Sequence, residues 1–258
     1  MPNFDNLDHD KIKNNLKTKL IGKEILIFNS TSSTNDIAAE YAKNKKNNGL
    51  VVFTEEQTKG RGRAANKWIT EKGDSLLCSV LLTKTKINGE LLSLTTAVAV
   101  ADAISQNAKI KWPNDITLNN KKIAGILLES KQNNSRTAYI IGIGINCHQT
   151  KDSLPDEIKQ TATSLDIETN STCDRISLAK RLLTSLDQWL KIAEKKPKKV
   201  IEQWQKLSIL LNKRVTLIFN DKQFTGNCIG IDPEKGLILQ LDSGGVRIFD
   251  ALHTSIAK

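Results

Sequence analysis

Residues 109–129 read KIKWPNDITLNNKKIAGILLE, and the fold is decided by this stretch. It parses as a strand, a Pro113-Asn114-Asp115 turn, a second strand, an Asn119-Asn120 hairpin turn and a third strand. Asparagine pairs tolerate the positive φ that a tight hairpin demands. Downstream, Ala138–Asn146 (AYIIGIGIN) is a buried strand interrupted by Gly142 and Gly144. Glycines inside a strand mark close approach by a ligand or another backbone. Upstream, Gly89–Gln106 carries apolar residues at helical spacing, with small residues that allow close packing. Ser75–Thr83 (SLLCSVLLT) is a near-continuous apolar run that suits a central strand, with Cys78 packed inside it. Glu24–Asn29 and Leu50–Phe53 read as two further strands, and residues 1–23 as one short amphipathic helix. Asp174–Ala193 and Val200–Leu207 are amphipathic helices, with Lys195–Lys199 (KKPKK) as the break between them.

From Lys213 the pattern changes to RVTLIF, FTGNCIGI, LILQL and VRIF, separated by turn residues. Strands this short and evenly spaced predict a small β-barrel of about 45 residues. The expectation is an α+β chain: a mixed β-sheet flanked by helices over residues 1–210, of which 1–23 form an extension, and a barrel over 211–258.

A chain of 258 residues can bury a full core, and 39% apolar with 26% charged residues describes an ordinary globular protein. No apolar run approaches the roughly 20 residues of a membrane helix. The first residues are polar and lack the apolar centre of a signal peptide. Cys78, Cys147, Cys173 and Cys228 are far apart without CxxC spacing, so the sequence implies neither a zinc site nor a disulfide frame, and a reducing cytoplasm fits. The net charge of +10 favours an acidic partner, a nucleotide or a nucleic acid, although scattered lysines also read as a solvated face.

Several chemistries are excluded. The chain has no GxxxxGK[ST] loop and no GxSxG elbow, and Gly142-Ile143-Gly144 lacks a third glycine because Cys147 stands in its place. His9, His148 and His253 have no ligand spacing. Polar groups at strand ends and turns remain: Ser33-Thr34-Asn35, Gln57, Arg61, Arg63, Asn114, Asp115, Lys122 and Asn146. Ser33 followed by Asp36 resembles a capping box, so a helix starts at Ser33 or Thr34; its free amides suit an oxygen-rich ligand, or the feature is plain capping. Gln57–Trp68 (QTKGRGRAANKW) places two glycines and three cations within Lys59–Ala65, as an anion clamp or a solvated basic turn. Lys122 precedes the apolar Ile123–Leu127, so its charge sits at a partly desolvated strand mouth, where it acts strongly.

In this order and spacing, GRGR with KW, then KWPND, KIAGILLE and IGIGIN, resemble the motifs of the biotin–protein ligases. STN at 33–35, ATSL at 162–165 and the terminal barrel fit the same family, and the resemblance runs from about Glu24 to the end. It implies a class II aminoacyl-tRNA-synthetase-like catalytic domain with an SH3-like C-terminal barrel. It also implies synthesis of biotinyl-5′-AMP and pyrophosphate from biotin and ATP with Mg2+. Biotin then passes to one lysine of the biotin carboxyl carrier domain of acetyl-CoA carboxylase.

Carried over by position, the resemblance has Ser33, Thr34, Asn35 and Gln57 hold the ureido end of biotin, between walls that include Gly125, Leu127, Gly142 and Gly144. Gly60, Arg61, Gly62 and Arg63 close on the carboxylate and phosphates. Lys122 bridges carboxylate and α-phosphate, and with Arg61 and Arg63 forms the catalytic set. Trp68, Asn114 and Asn146 contact the adenylate, and Asp115 orients a cation or the incoming lysine. No protein-held metal is implied. The family loop GRGRRGR-x-W departs here to Ala64-Ala65-Asn66, which predicts a leakier clamp. About 23 residues precede the first strand, too few for the winged helix with which some relatives repress transcription. The expectation is therefore an enzyme-only, cytoplasmic monomer or weak homodimer with neither DNA nor membrane as partner. Two alternatives stay open: lipoate or octanoate transfer on a related fold, and a DNA-binding, biotin-responsive repressor.

Overall fold

The computed structural model describes residues 6–64, 66–105, 107–133 and 136–257. Seven strands, β1 (Ile25–Phe28), β2 (Val51–Thr54), β3 (Ser75–Leu82), β4 (Lys109–Lys111), β5 (Asp115–Leu118), β6 (Lys121–Asn133) and β7 (Arg136–Asn146), form one sheet. Their order is β1-β2-β3-β7-β6-β5-β4. Only β1 and β2 run parallel, and the other neighbours are antiparallel, so the sheet is mixed as expected. Asn119 and Asn120 take φ of +50° and +65°, the geometry expected of the β5–β6 hairpin turn.

Alternation along β2 places helices on both faces. Val51 and Phe53 join the main core, while Leu50 and Val52 pack with Ala38 and Leu81 on the other side. The helices are α1 (His9–Lys13), α2 (Thr34–Glu40), α3 (Gly89–Ile104), α4 (Leu165–Thr169), α5 (Arg175–Lys195) and α6 (Pro197–Leu207). α3 is apolar nearly all round because it packs between the sheet and α5 with α6. The break between α5 and α6 is narrower than residues 195–199: Lys196 alone separates them, and Pro197 opens α6 where its missing N–H costs nothing.

The extension is not one helix. Residues 1–5 lie outside the described residues, α1 spans a single turn, and carboxylates strap the remainder to the body. Asp187 Oδ1 accepts from the Leu20 and Ile21 amides at 2.7 and 2.9 Å, and Glu55 Oε1 accepts from Leu7 N at 2.6 Å. Glu55 Oε2 pairs with Arg175 Nη1 at 2.7 Å, with the arginine side chain fully buried.

The C-terminal strands are β8 (Arg214–Phe219), β9 (Lys222–Asp232), β10 (Gly236–Leu241), β11 (Val246–Phe249) and β12 (Thr254–Ile256). They form the SH3-like sheet in the order β11-β10-β9-β8-β12. The three-residue β12 was invisible in the sequence pattern. Leu217, Leu237, Leu239 and Phe249 of this sheet continue the main core. Arg247 covers Phe219, Phe224 and Phe249 at 4.2–5.3 Å from the ring centroids.

Breaking a buried ion pair strands the surviving charge, which costs about 3–5 kcal/mol. Arg175→Ala is therefore expected to lower the unfolding free energy by that order in denaturant titration, and to expose the N-terminal strap to protease. An unchanged denaturation midpoint would contradict the pair's anchoring role.

Candidate active site

Two rows of facing residues cross the centre of the large sheet. Asp115, Gly125, Gly144 and Leu77 are successive cross-strand partners on β5, β6, β7 and β3; Leu127, Gly142 and Ser79 form the next row. Directly opposed residues share a face, so the three glycines leave a trough in one surface. The trough is filled closely. A Cβ on Gly142 would stand 2.5 Å from Asn35 Oδ1, one on Gly144 2.6 Å from Trp68 Cε2, and one on Gly125 2.8 Å from Trp68 Cζ3. Asn35 at the start of α2 and the Trp68 indole thus lie directly on the sheet backbone. Gly125 and Gly144, expected as walls of a ligand site, line the groove described below and also seat the indole.

Lys122 reaches the same face through a register shift. Gly125 lies three positions further on, which in a regular strand would send the two to opposite faces. Thr117 pairs with Lys122 but Ile116 with Ala124, so Ile123 is an extra residue that re-aims the lysine. Its Nζ lies 2.6 Å from Asp115 Oδ1 and 5.6 Å from the Trp68 ring centroid. Its backbone is clamped from behind: Lys122 N donates to Thr161 O at 2.7 Å, and Thr163 N donates to Lys122 O at 2.9 Å.

The basic loop is folded as a small hairpin. Trp68 N donates to Gly60 O at 3.1 Å and Gly62 N to Asn66 O at 2.7 Å. Ala64 sits at φ +50°, the left-handed region that costs a residue with a Cβ about 1–2 kcal/mol; Ala65 lies outside the described residues. Arg61 donates to both oxygens of Asp36, at 2.7 and 2.9 Å, and approaches Glu129 Oε1 at 3.5 Å. That guanidinium holds the Asp36 carboxyl below its usual range. Arg63 points instead toward the C-terminal sheet, donating to Ala251 O, to Thr254 O at 3.0 Å and to Asn114 Oδ1 at 3.2 Å. Burial lowers its pKa, opposed by Asp115, Glu90 and Asp250.

The helix start differs from the capping box read in the sequence. Ser33 is the N-cap, but its side chain makes no capping bond, and the Asp36 carboxylate that would return the second bond of a capping box is engaged by Arg61. Gln57 does the work from outside the helix: its Oε1 accepts from Thr34 N at 2.8 Å and from Thr34 Oγ1 at 3.1 Å. Ser79, Asp36, Glu129 and Thr163 are residues that sequence reasoning missed. Ser79 Oγ donates to Asn35 Oδ1 at 2.5 Å and lies 2.7 Å from Thr34 Oγ1, and Asn35 Nδ2 donates to Glu129 Oε2 at 2.7 Å. A lone serine inside an apolar strand was the available signal for Ser79. Asp36, Glu129 and Thr163 stand inside quoted stretches, as the expected cap partner, the end of KIAGILLE and part of ATSL, but nothing there announced their partners.

These groups surround a groove of about 660 Å³. Ser33, Thr34, Asn35, Gln57, Arg61, Gly62, Arg63, Trp68, Asn114, Asp115, Lys122, Gly125, Leu127, Gly142 and Gly144 all line it, joined by Asn220–Asp221 and Leu252–Ile256 of the small sheet. Gly60 and Asn146 do not. Gly60 closes the hairpin base, and Asn146 is buried, its Nδ2 donating to Thr163 O at 2.9 Å. Lys122, Arg61, Arg63, Lys67 and Lys111 face only Asp115 and Asp221 among the described lining residues, so the groove suits an anionic ligand. His9, His148 and His253 each sit beside an aspartate and outside any metal cluster among the described residues.

The chain matches a family of ligases: the model of the biotin/lipoate A/B protein ligase family matches residues 27–146. The bifunctional ligase/repressor BirA of Bacillus spizizenii is 34% identical over 259 residues, covering 95% of this chain and 78% of that protein. The biotin–[acetyl-CoA-carboxylase] ligase of Mycobacterium tuberculosis is 30% identical over 207 residues, covering 70% and 75%. The solved biotin protein ligase of Aquifex aeolicus in complex with biotin and ATP superposes with a TM-score of 0.78 at 27% identity, over 92% of this chain and 99% of that one. The chain belongs to this family, on its biotin–protein ligase branch.

A methyl group on Gly144 has nowhere to go unless the indole lifts, and overpacking of this kind typically costs about 1–3 kcal/mol. Gly144→Ala is expected to lower the melting temperature and shift the emission of Trp68, read as the difference from a Trp68→Phe control. An unaltered spectrum and melting temperature would show that the ring does not rest there.

Proposed function

We propose that this chain joins the carboxylate of biotin to the α-phosphorus of ATP and passes the activated biotin to a lysine of a biotin carboxyl carrier domain. The observation that carries this reading is the convergence of Lys122, Arg61 and Arg63 on one groove that also holds Ser33, Thr34 and Gln57. A carboxylate and a polyphosphate repel each other, and attack at phosphorus needs cations placed where charge develops. The carboxylate oxygen forms the C–O–P anhydride as the Pα–O–Pβ bond breaks, and pyrophosphate leaves. In the second step the lysine amine attacks the carbonyl carbon, an amide forms, and AMP leaves with the electron pair.

Each group has a task in this reading. Gln57 uses its amide oxygen on Thr34, which leaves its amide N–H bonds for the ureido group beside the Ser33 hydroxyl. Asn35 has both amide atoms engaged by Ser79 and Glu129, so it positions its neighbours rather than touching biotin. The Trp68 indole N–H is buried without an acceptor among the described residues, and a bound nucleotide would supply one. Asn114 clamps β6, with its Nδ2 donating to Ile126 O at 3.0 Å, and holds Arg63 at the groove edge. Asp115 orients Lys122 and is the carboxylate nearest to where an incoming ammonium would pass.

Mg2+ prefers phosphate oxygens, water and one or two carboxylates to an all-protein cage. Asp115 and Asp221, the carboxylates among the described lining residues, fit that preference and would meet such an ion. Bound with ATP, it would neutralise phosphate charge.

The loop supports a leakier adenylate than in a GRGRRGR relative, because Ala64 and Asn66 bring no cation. The acceptor is the carrier domain of acetyl-CoA carboxylase, and a cytoplasmic setting suits both substrates. Lipoate or octanoate transfer is the less supported reading, since the relatives compared above are biotin ligases.

Removing one electrostatic group of this kind typically costs on the order of 100–1,000-fold in rate. Lys122→Ala is expected to lose biotin-dependent pyrophosphate release to that extent while its circular dichroism and melting temperature hold. Wild-type release by this variant would overturn the assignment.

A further inference from the structure

The spacing of the four cysteines separates them, but the fold brings two together. Cys147 follows the last residue of β7 and is fully buried; Cys173 precedes Asp174, the N-cap of α5, and is half-buried against the core that contains Cys147. Both backbones are tied to Asp166, whose Oδ1 accepts from Cys173 N at 2.7 Å and whose N–H donates to Cys147 O at 3.0 Å. Both thiols are free, and Cys173 is the neighbour that most raises the Cys147 pKa.

The segment between them, residues 148–172, backs the reaction groove. Thr161 and Thr163 hold both backbone groups of Lys122, and Thr163 O also accepts from Asn146 Nδ2 at 2.9 Å. Cys147 and Cys173 stand at the two ends of this excursion.

We propose that Cys147 and Cys173 are an oxidisable pair that takes a low-molecular-weight disulfide as oxidant and closes into a staple at the base of the segment backing Lys122. The more accessible Cys173 attacks the small disulfide as thiolate, forming a mixed disulfide and expelling one small thiolate. Cys147 then gives up its proton and attacks the Cys173 sulfur, expelling the second. Two protein thiols are oxidised, one small disulfide is reduced to two thiols, and the cysteine protons end on them. Cys173 is the more exposed of the two and so attacks first, while Cys147, whose pKa the neighbouring Cys173 thiol and burial hold well above the ordinary range, resolves. Cys78, buried with its thiol pushed up to about 12, and the buried Cys228 are internal controls.

The test is chemical and independent of the ligase reaction, so its failure and that of the proposed function are separable. The full chain is incubated with oxidised glutathione, alkylated, digested without reduction and mapped by mass spectrometry. The expected result is a cross-linked peptide pair carrying Cys147 and Cys173, a thiol count lower by two, and Cys78 and Cys228 still alkylated. Closing a loop of this length is expected to raise the melting temperature by about 5–10 °C, reversed by dithiothreitol. Cys173→Ser should abolish the cross-link and leave Cys147 reduced. A persistent glutathione adduct on Cys173 with Cys147 still alkylated, or no loss of thiols, would overturn the proposal.

Discussion

The contact on which the site depends is the approach of two side chains to bare backbone at the centre of the large sheet. Asn35 rests on Gly142, and Trp68 rests across Gly125 and Gly144, at separations no Cβ would permit. Because Gly125 and Gly144 are cross-strand partners, one flat seat spans two strands, and a planar ring is the side chain that fits it. The seat fixes the end of the basic hairpin, and through Trp68 it fixes where Arg61 and Arg63 leave the sheet. The second contact draws α2 down onto β7 and so places Ser33 and Thr34 in the same groove.

A charged site on such a surface needs its cations held apart until an anion arrives. Arg61 is bracketed by Asp36 and Glu129, Arg63 is tied to carbonyls of the small sheet, and Lys122 is paired with Asp115. Each partner satisfies a cation that would otherwise be partly desolvated and unpaired. Arg63 also makes the C-terminal sheet part of the groove, which explains why residues more than 150 positions away in sequence line the same cavity.

Much of this was legible in the chain. Strand runs, the Asn119-Asn120 turn and the helices appear as periodicity and turn chemistry, because those depend on neighbours within a few residues. Most site residues named from the ordered motifs line one groove, while Gly60 and Asn146, from the same motifs, support it from outside. Long-range partners were hidden. Nothing local to Asp36 or Glu129 announces an arginine 25 or 68 residues away, and the Asp36 carboxylate expected in a capping box with Ser33 goes to that distant arginine. The register shift at Ile123 and the meeting of Cys147 with Cys173 were hidden for the same reason: both arise from pairing and crossing of segments, not from spacing along them.

The account rests on the claim that this groove activates biotin with ATP for transfer to a carrier lysine. The most direct measurement is to incubate the purified chain with a biotin carboxyl carrier domain, biotin and ATP, and to probe the carrier with labelled streptavidin. The account predicts a signal that needs biotin, ATP and the acceptor lysine together. A carrier that stays unlabelled with biotin while an acceptor domain takes up lipoate or octanoate, or labelling that proceeds without ATP, would contradict it.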